Sequence, residues 1–345
     1  MTSKHLNTGF LALLALVFTV ALTYASVQLP RNVSAILIDA FGEAGETVDH
    51  ATGLSENFLG SYHIRVLGYA SMITIISLIG VGLITKKSRW AAAGAVALFL
   101  PVFGHFALSM SMLAGLGLLR VAWLPIIDHY PALLRFGDVA FVPYLVSVYL
   151  PALAGVDIRV PLIHGLIGSG VLLFAAGTHA WLKTRFHGRS VSDIGLYRFS
   201  RHPQYLGWMV WSYGLLIYVA RLRGPRIGWS VESTLPWILA TLILVCVALK
   251  EEISMRSEQS GDYGKYLSRT PFLFPVPKVF SRFVSAPMRL VLRKEWPTTG
   301  KDIVAVFAVY AGLAVLMSLP FVLVDWPPSA QAMLVAFPYD VPPFR

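Results

Sequence analysis

Long apolar segments recur along this chain of 345 residues and restrict its fold more than any other feature. A helix needs about 20 mostly apolar residues to cross the hydrocarbon core of a bilayer. Backbone groups in lipid must be hydrogen-bonded within the protein, which favours helices for such segments. We therefore predict an all-α, polytopic integral membrane bundle of about seven, between six and eight, transmembrane helices. The segments that approach or exceed the required length are residues 10–29, 59–85, 90–119, 161–182, 205–220, 235–249 and 303–324.

The composition supports a membrane protein and argues against other classes. Hydrophobic residues make up 56% of the chain and charged residues only 13%, whereas soluble domains carry about 25% charged residues. The net charge of +10 is explained by basic loops on the cytoplasmic side of a membrane, so we expect no nucleic-acid partner. Cys246 is the single cysteine, which excludes an internal disulfide and a site built from several thiolates. We predict no metal site.

The distribution of basic residues predicts the orientation. Residues 139–155 are apolar but short, with Pro143 and Pro151 interrupting them, so we interpret them as interfacial or re-entrant. The basic residues of 86–89, 183–201 and 250–301 then lie on one side, which the positive-inside rule assigns to the cytoplasm. The N-terminus falls on the same side, and residues 10–29 are interpreted as a retained anchor. We predict an integral protein of a bacterial-type inner (plasma) membrane.

Two polar stretches stand out because they adjoin apolar segments. One is Gly195–Gly207 and the other is Lys250–Glu252, and a predicted helical hairpin separates them. Ionisable groups beside lipid are costly and usually have a task. A helix beginning at Pro203 leaves amides that favour an anion, while the glutamates favour a cation. We therefore predict a cytoplasmic-facing cofactor pocket for a zwitterionic ligand, although a topology signal that contacts lipid headgroups explains the same residues equally well.

We divide the chain by function into three parts. Residues 1–158 form an N-terminal accessory transmembrane bundle, and residues 159–280 form the catalytic unit. Residues 281–345 contribute an amphipathic segment and a C-terminal transmembrane helix. Glycine pairs such as Gly168-Ser-Gly170 lie inside apolar helices and are interpreted as helix-packing positions.

The polar stretches resemble the isoprenylcysteine carboxyl methyltransferases and the related bacterial membrane and phospholipid N-methyltransferases. The resemblance covers about residues 190–278, and residues 1–158 have no recognised counterpart. The glycine that these families have just before the first tyrosine is displaced here, to Gly261. The motifs that carry the resemblance are, in order, Gly195-x-Tyr197, Arg201-His202-Pro203-x-Tyr205-x-Gly207, Glu251-Glu252, Tyr263-x-x-Tyr266 and Arg269-x-Pro271.

The resemblance implies transfer of a methyl group from S-adenosylmethionine to an acceptor that enters from the bilayer. The acceptor would be a lipid or a lipophilic or small membrane-permeant molecule: an isoprenylcysteine-like carboxylate, a phospholipid amine or a thiol. Arg201 and Glu252 are the implied catalytic residues. The implied cofactor-binding residues are Tyr197, His202, Pro203, Tyr205, Gly207, Glu251, Glu252, Tyr263 and Tyr266.

Three other functions are also consistent with the sequence. A membrane reductase of the sterol reductase type has a similar Arg-His-Pro-x-Tyr-x-Gly motif and uses NADPH, but usually has Asn and Glu where this chain has Gln204 and Trp208. A haem protein could use His105, His164 or His179, which fall in predicted helices. A non-catalytic lipid-binding or assembly protein is the third alternative.

Overall fold

All regular secondary structure described in the computed structural model is helical. The described residues are 8–21, 64–85, 90–91, 94, 126, 130–188, 191–221, 234–258 and 262–323. Within these residues there is no strand, which agrees with the all-α prediction. Predictions that depend on the other residues, including the segment 95–119 and His105, lie outside the described residues.

Nine α-helices are labelled here within the described residues, together with three short 3-10 helices. The 3-10 helices are Pro131–Arg135, Asp138–Phe141 and Gly195–Arg198. The α-helices, in chain order, are α1 Thr8–Ala21, α2 Ile64–Ile84, α3 Val142–Leu153, α4 Arg159–Phe186, α5 Pro203–Arg221, α6 Thr234–Glu258, α7 Asp262–Arg269, α8 Lys278–Leu292 and α9 Gly300–Leu323.

Three helical segments in the described part of the chain are long and apolar enough to cross a membrane. They are Leu133–Leu153, which joins two 3-10 helices to α3, and the helices α4 and α9. Membrane association is therefore supported, and the predicted segments 161–182 and 303–324 lie almost entirely within α4 and α9. Residues 139–153 belong to a helical segment of 21 residues, so the interpretation that they are too short to span is wrong. Their re-entrant placement and the total of about seven spans stay predictions.

The chain divides into two compact units. One contains the described residues within Met1–Ala25, Val160–Gly214 and Leu244–Val309. The other contains those within Ser26–Arg159, Leu215–Ile243 and Tyr310–Arg345. The proposed functional division at residues 158/159 and 280/281 is a separate prediction.

In the second unit, a buried carboxylate lies at the start of the α3 segment. Asp138 is only 2% exposed, and it accepts hydrogen bonds from Thr234 Oγ1 at 2.7 Å and Arg135 Nε at 3.2 Å. Arg135 also donates to the carbonyl of Phe321 at 2.9 Å. A buried charge is tolerated when it is paired and hydrogen-bonded. This polar cluster therefore joins the beginning of α6 and the end of α9 to the α3 segment.

In the first unit, α4 and α5 approach each other closely at glycines. A Cβ atom on Gly170 would lie 2.3 Å from the backbone nitrogen of Trp211, and one on Gly207 would lie 2.5 Å from that of Phe174. Both positions therefore need the absence of a side chain. The packing interpretation is correct for Gly170, but a Cβ on Gly168 would meet nothing within 4 Å.

The basic stretch after α6 contains the amphipathic helices α7 and α8. On α8 the apolar side chains are strongly exposed, with Val279 at 79% and Phe283 at 77%, while Arg282 and Arg289 lie on another face. Such a helix is suited to the interface between lipid and water. It ends eight residues before α9 begins at Gly300.

We predict that Gly170→Ala destabilises the protein by about 1–3 kcal/mol, because the added methyl group overpacks a contact with backbone. Gly168→Ala is the matched control on the same helix and should leave stability unchanged or raise it by up to about 1 kcal/mol through helix propensity. Denaturant unfolding in detergent measures both variants. Equal stability of the two would contradict the close approach of α4 and α5.

Candidate active site

The local fold of the first polar stretch places its charged residues at the start of α5. The 3-10 helix Gly195–Arg198 begins at Gly195, whose φ of +57° lies in the left-handed region that glycine adopts without strain. The backbone nitrogen of Arg201 then donates to the carbonyl of Pro271 at 3.0 Å. As predicted, α5 begins at Pro203, where proline costs no intrahelical hydrogen bond.

Glu252 is the centre of the site. It is 0% exposed and lies on α6, fifty-one residues from the arginine that pairs with it. Arg201 Nη1 donates to Glu252 Oε2 at 2.7 Å, and His202 Nε2 lies 3.3 Å from Glu252 Oε1. Removing one partner of a buried ion pair typically costs about 3–5 kcal/mol, because the other charge is left uncompensated. The pair therefore fixes the start of α5 against the end of α6.

Glu251 is the more accessible of the two carboxylates. Its side chain is 35% exposed, and Oε1 accepts a hydrogen bond from the hydroxyl of Tyr205 at 2.8 Å. His202 Nδ1 lies 3.9 Å from Glu251 Oε2, so the imidazole lies between the two glutamates. Burial raises the pKa of Glu251 above its ordinary value of 4.5, and the nearby His202 and the Tyr205 hydroxyl oppose this increase.

Helix α7 brings two tyrosines to the same site. Tyr263 is 1% exposed, its ring centroid lies 6.0 Å from that of Tyr266, and the Tyr266 hydroxyl donates to the backbone oxygen of Tyr197 at 2.8 Å. Burial raises the pKa of Tyr197, Tyr263 and Tyr266 above the ordinary 10.0. These hydroxyls therefore stay protonated at neutral pH and can donate hydrogen bonds.

Two aromatic residues that were not predicted enclose the guanidinium of Arg201. Its central carbon lies 5.5 Å from the ring centroid of Phe272 and 5.2 Å from that of Trp296. The two rings meet edge to face, with centroids 5.3 Å apart. Arg256 is a further cation, 5.9 Å from the Trp296 ring and 3.9 Å from Glu252 Oε2. In the sequence Trp296 reads as an interfacial tryptophan before a membrane helix, so no signal distinguished it.

Eight of the ten predicted site residues bring their side chains together, and Pro203 and Gly207 are the other two. Gly207 faces the backbone of Phe174 on α4, so its structural part is helix packing rather than contact with the glutamates. Pro203 is buried at the start of α5. The side chains brought together are Tyr197, Arg201, His202, Tyr205, Glu251, Glu252, Tyr263 and Tyr266.

The histidines considered for haem do not form a pair within the described residues. His164 and His179 lie on one helix, α4, and their separation of fifteen residues corresponds to about 22 Å along the axis. They cannot bind opposite faces of one iron. His105 lies outside the described residues.

The site therefore combines groups of both signs around the buried Glu252. Two carboxylates can accept hydrogen bonds from, or attract, cationic and hydroxyl groups. Arg201, Arg256 and the tyrosine hydroxyls can donate to anionic groups. Charges in such surroundings interact more strongly than in water.

Comparison with known proteins gives one family match and no named relative. The profile of a family described as "Protein of unknown function (DUF1295)" matches residues 177–270, just over a quarter of the chain. No curated protein and no solved structure matches the chain. The matched region runs from the last third of α4 to the residue after α7. It contains every predicted site residue as well as Arg256, while Phe272 and Trp296 lie beyond it.

Proposed function

We propose that the protein is an integral membrane enzyme that transfers a methyl group from S-adenosylmethionine to a lipophilic or small membrane-permeant acceptor. The carrying observation is the pairing of Arg201, His202 and Tyr205 at the start of α5 with Glu251 and Glu252 at the end of α6. Acceptors in keeping with this site are an isoprenylcysteine-like carboxylate, a phospholipid amine or a thiol.

The charges of the cluster fit this cofactor in kind. S-adenosylmethionine is zwitterionic, with a sulfonium and an ammonium group as well as a carboxylate and ribose hydroxyls. Glu251, with its 35% exposed side chain, is the carboxylate available to a cationic or hydroxyl group. Arg201 and Arg256 supply the positive charge that a carboxylate needs.

When bound, S-adenosylmethionine supplies an electrophilic methyl group, whose bond to sulfur breaks as an acceptor lone pair forms the new bond to carbon and the sulfur keeps the electron pair. The protein has to position the acceptor and exclude water, and such positioning can lower a barrier by several kcal/mol. Phe272, Trp296 and the α7 tyrosines provide apolar surface around Arg201 for this purpose.

The two glutamates have different parts in this proposal. Glu252 is fully buried and already bound by Arg201 and His202, which suits it to holding the site together. Glu251 is more accessible, and its pKa is raised, so it is the better proton acceptor for an amine. We therefore propose Glu251, and not Glu252, as the group that accepts the proton of an amine acceptor, while a carboxylate or thiolate acceptor needs no base.

We further propose that the site faces the cytoplasm, where the cofactor is available, in a bacterial-type inner membrane. The basic residues around the site and in α8 support this orientation through the positive-inside rule. The acceptor would reach the site from the bilayer.

A second candidate is NADPH-dependent reduction. The stretch from Arg201 to Gly207 resembles the Arg-His-Pro-x-Tyr-x-Gly motif of membrane reductases of the sterol reductase type. Arg201 and Arg256 would also suit a phosphate group. Direct binding of the two cofactors to the same protein distinguishes the candidates.

We predict that the detergent-solubilised protein binds S-adenosylmethionine and that His202→Ala and Glu252→Gln each weaken binding at least about tenfold, the equivalent of one charge-assisted hydrogen bond. Isothermal titration calorimetry measures the affinity, and thermal unfolding verifies that each variant folds. His164→Ala is the control, because its ring nitrogen lies 2.9 Å from the carbonyl oxygen of Val160 on its own helix and it belongs to none of the site contacts given above.

Binding of NADPH instead, weakened by the same substitutions, would replace the methyltransferase proposal with the reductase. Unchanged affinity in both folded variants would refute the site. With binding established, transfer of labelled methyl groups into total membrane lipids identifies the acceptor.

We predict that affinity for S-adenosylmethionine falls on acidification, starting above pH 4.5, because the raised pKa of Glu251 protonates it earlier than an ordinary glutamate. A cationic ligand favours the ionised carboxylate, so binding releases a proton. Glu251→Gln should weaken binding at neutral pH and remove the fall in affinity on acidification. Glu295→Gln, at an exposed carboxylate, is the control and should show the same fall in affinity as the wild type.

The same shift has the opposite sign for the stability of the unliganded protein. The folded state favours the neutral Glu251, so its contribution is fully present below pH 4.5 and is lost as pH rises through the raised pKa. Glu251→Gln should remove this loss of stability, which thermal unfolding at several pH values measures.

For binding, an affinity of the wild-type protein that does not change down to pH 4.5 would contradict the role of Glu251.

A further inference from the structure

Three hydrogen-bond donors near Glu252 are buried without a partner among the described residues. They are Arg201 Nε, Tyr263 Oη and Trp296 Nε1. Buried donors are nearly always satisfied in folded proteins, and an unsatisfied one costs about 1–3 kcal/mol. Three of them in one part of the fold call for a common explanation.

The three donors belong to one cluster, which we name the donor cluster. Trp296 packs against the guanidinium of Arg201, with the ring centroid 5.2 Å from its central carbon. The Tyr263 hydroxyl experiences the charges of Glu252, Arg201 and Arg256. Helix α7 and the turn before α9, both distant in sequence, thus meet Arg201 in the segment before α5.

The charges around the donor cluster are two guanidinium groups and two carboxylates, of which the partly exposed Glu251 has the weakest effect on Tyr263. Glu252 is shared by two guanidinium groups, at 2.7 Å from Arg201 and 3.9 Å from Arg256. Arg201 uses Nη1 for Glu252, which leaves Nε uncommitted. The aromatic rings of Phe272 and Trp296 interact with the cation but accept no strong hydrogen bond.

We infer that Arg201 Nε, Tyr263 Oη and Trp296 Nε1 form a subsite for an oxyanion carried by the ligand, a carboxylate or a phosphate. Its donors are all uncommitted, and a guanidinium supplies the charge, which together match the several acceptor atoms of such a group. If the proposed function holds, the oxyanion comes from the cofactor carboxylate or from an acidic acceptor. The subsite includes Trp296, which lies outside the region that matches the known family.

The subsite can be tested with a reporter inside it. Protein labelled with 5-fluorotryptophan in detergent gives a ¹⁹F signal for Trp296, assigned as the signal absent from Trp296→Phe. The titrants are inorganic phosphate, S-adenosylmethionine and its decarboxylated analogue, with potassium chloride at matched ionic strength as the salt control. The analogue keeps the sulfonium and adenosine but lacks the carboxylate.

We expect phosphate, but not chloride, to shift the Trp296 signal. Tyr263→Phe removes one hydroxyl from the subsite and should weaken the phosphate effect about tenfold. Tyr149→Phe, at a tyrosine that is 51% exposed, should not. Calorimetry on Trp296→Phe, which keeps a large ring but loses the N–H, should show a similar loss, with Trp181→Phe as its control.

The cofactor arms then identify the source of the oxyanion. Tighter binding of S-adenosylmethionine than of the decarboxylated analogue, with a preference that shrinks in Tyr263→Phe, assigns the subsite to the cofactor carboxylate. If S-adenosylmethionine and the decarboxylated analogue bind with equal affinity and phosphate still shifts the Trp296 signal, the subsite is assigned to the acceptor. A phosphate response without binding of S-adenosylmethionine supports the subsite while refuting the proposed function. A Trp296 signal that responds to neither phosphate nor S-adenosylmethionine overturns the subsite.

Discussion

The buried ion pair between Arg201 and Glu252 is the interaction on which the rest of the site depends. Neither charge is stable alone in such surroundings, so the residues that carry them must meet for either to be buried. Their meeting sets the register of the start of α5 against the end of α6. It also orients His202, which lies between Glu252 and Glu251, and leaves Glu251 as the accessible member of the pair of carboxylates.

Aromatic side chains and tyrosines surround this ion pair. Phe272 and Trp296 cover the guanidinium and limit its contact with water. The tyrosines of α7 follow, one tied to the backbone of Tyr197 and the other buried beside it. The charged groups at the centre of the site are thus held by hydrogen bonds within the protein, while several hydrogen-bond donors around them have no partner among the described residues. This arrangement is expected of a binding site that is formed before its ligand binds.

The sequence predicted the parts of this arrangement that depend on local chemistry. The long uncharged segments predicted helices, and Pro203 predicted the start of α5. The cost of placing charged groups beside lipid indicated that Arg201 and Glu252 have a function. The parts it missed depend on long-range packing. Nothing near Trp296 in the chain relates it to Arg201, almost a hundred residues earlier, and Gly207 belonged to a functional motif although its neighbour is the backbone of α4.

The bond from the Arg201 nitrogen to the Pro271 oxygen has a consequence for how this site could diversify. It joins two main-chain atoms, so among substitutions that keep the backbone path only proline at position 201, which has no N–H, abolishes it. The frame that brings the segment before α5 to the segment after α7 is thus independent of the side chains displayed there. The side chains on this frame can therefore change without a new way of joining the two segments.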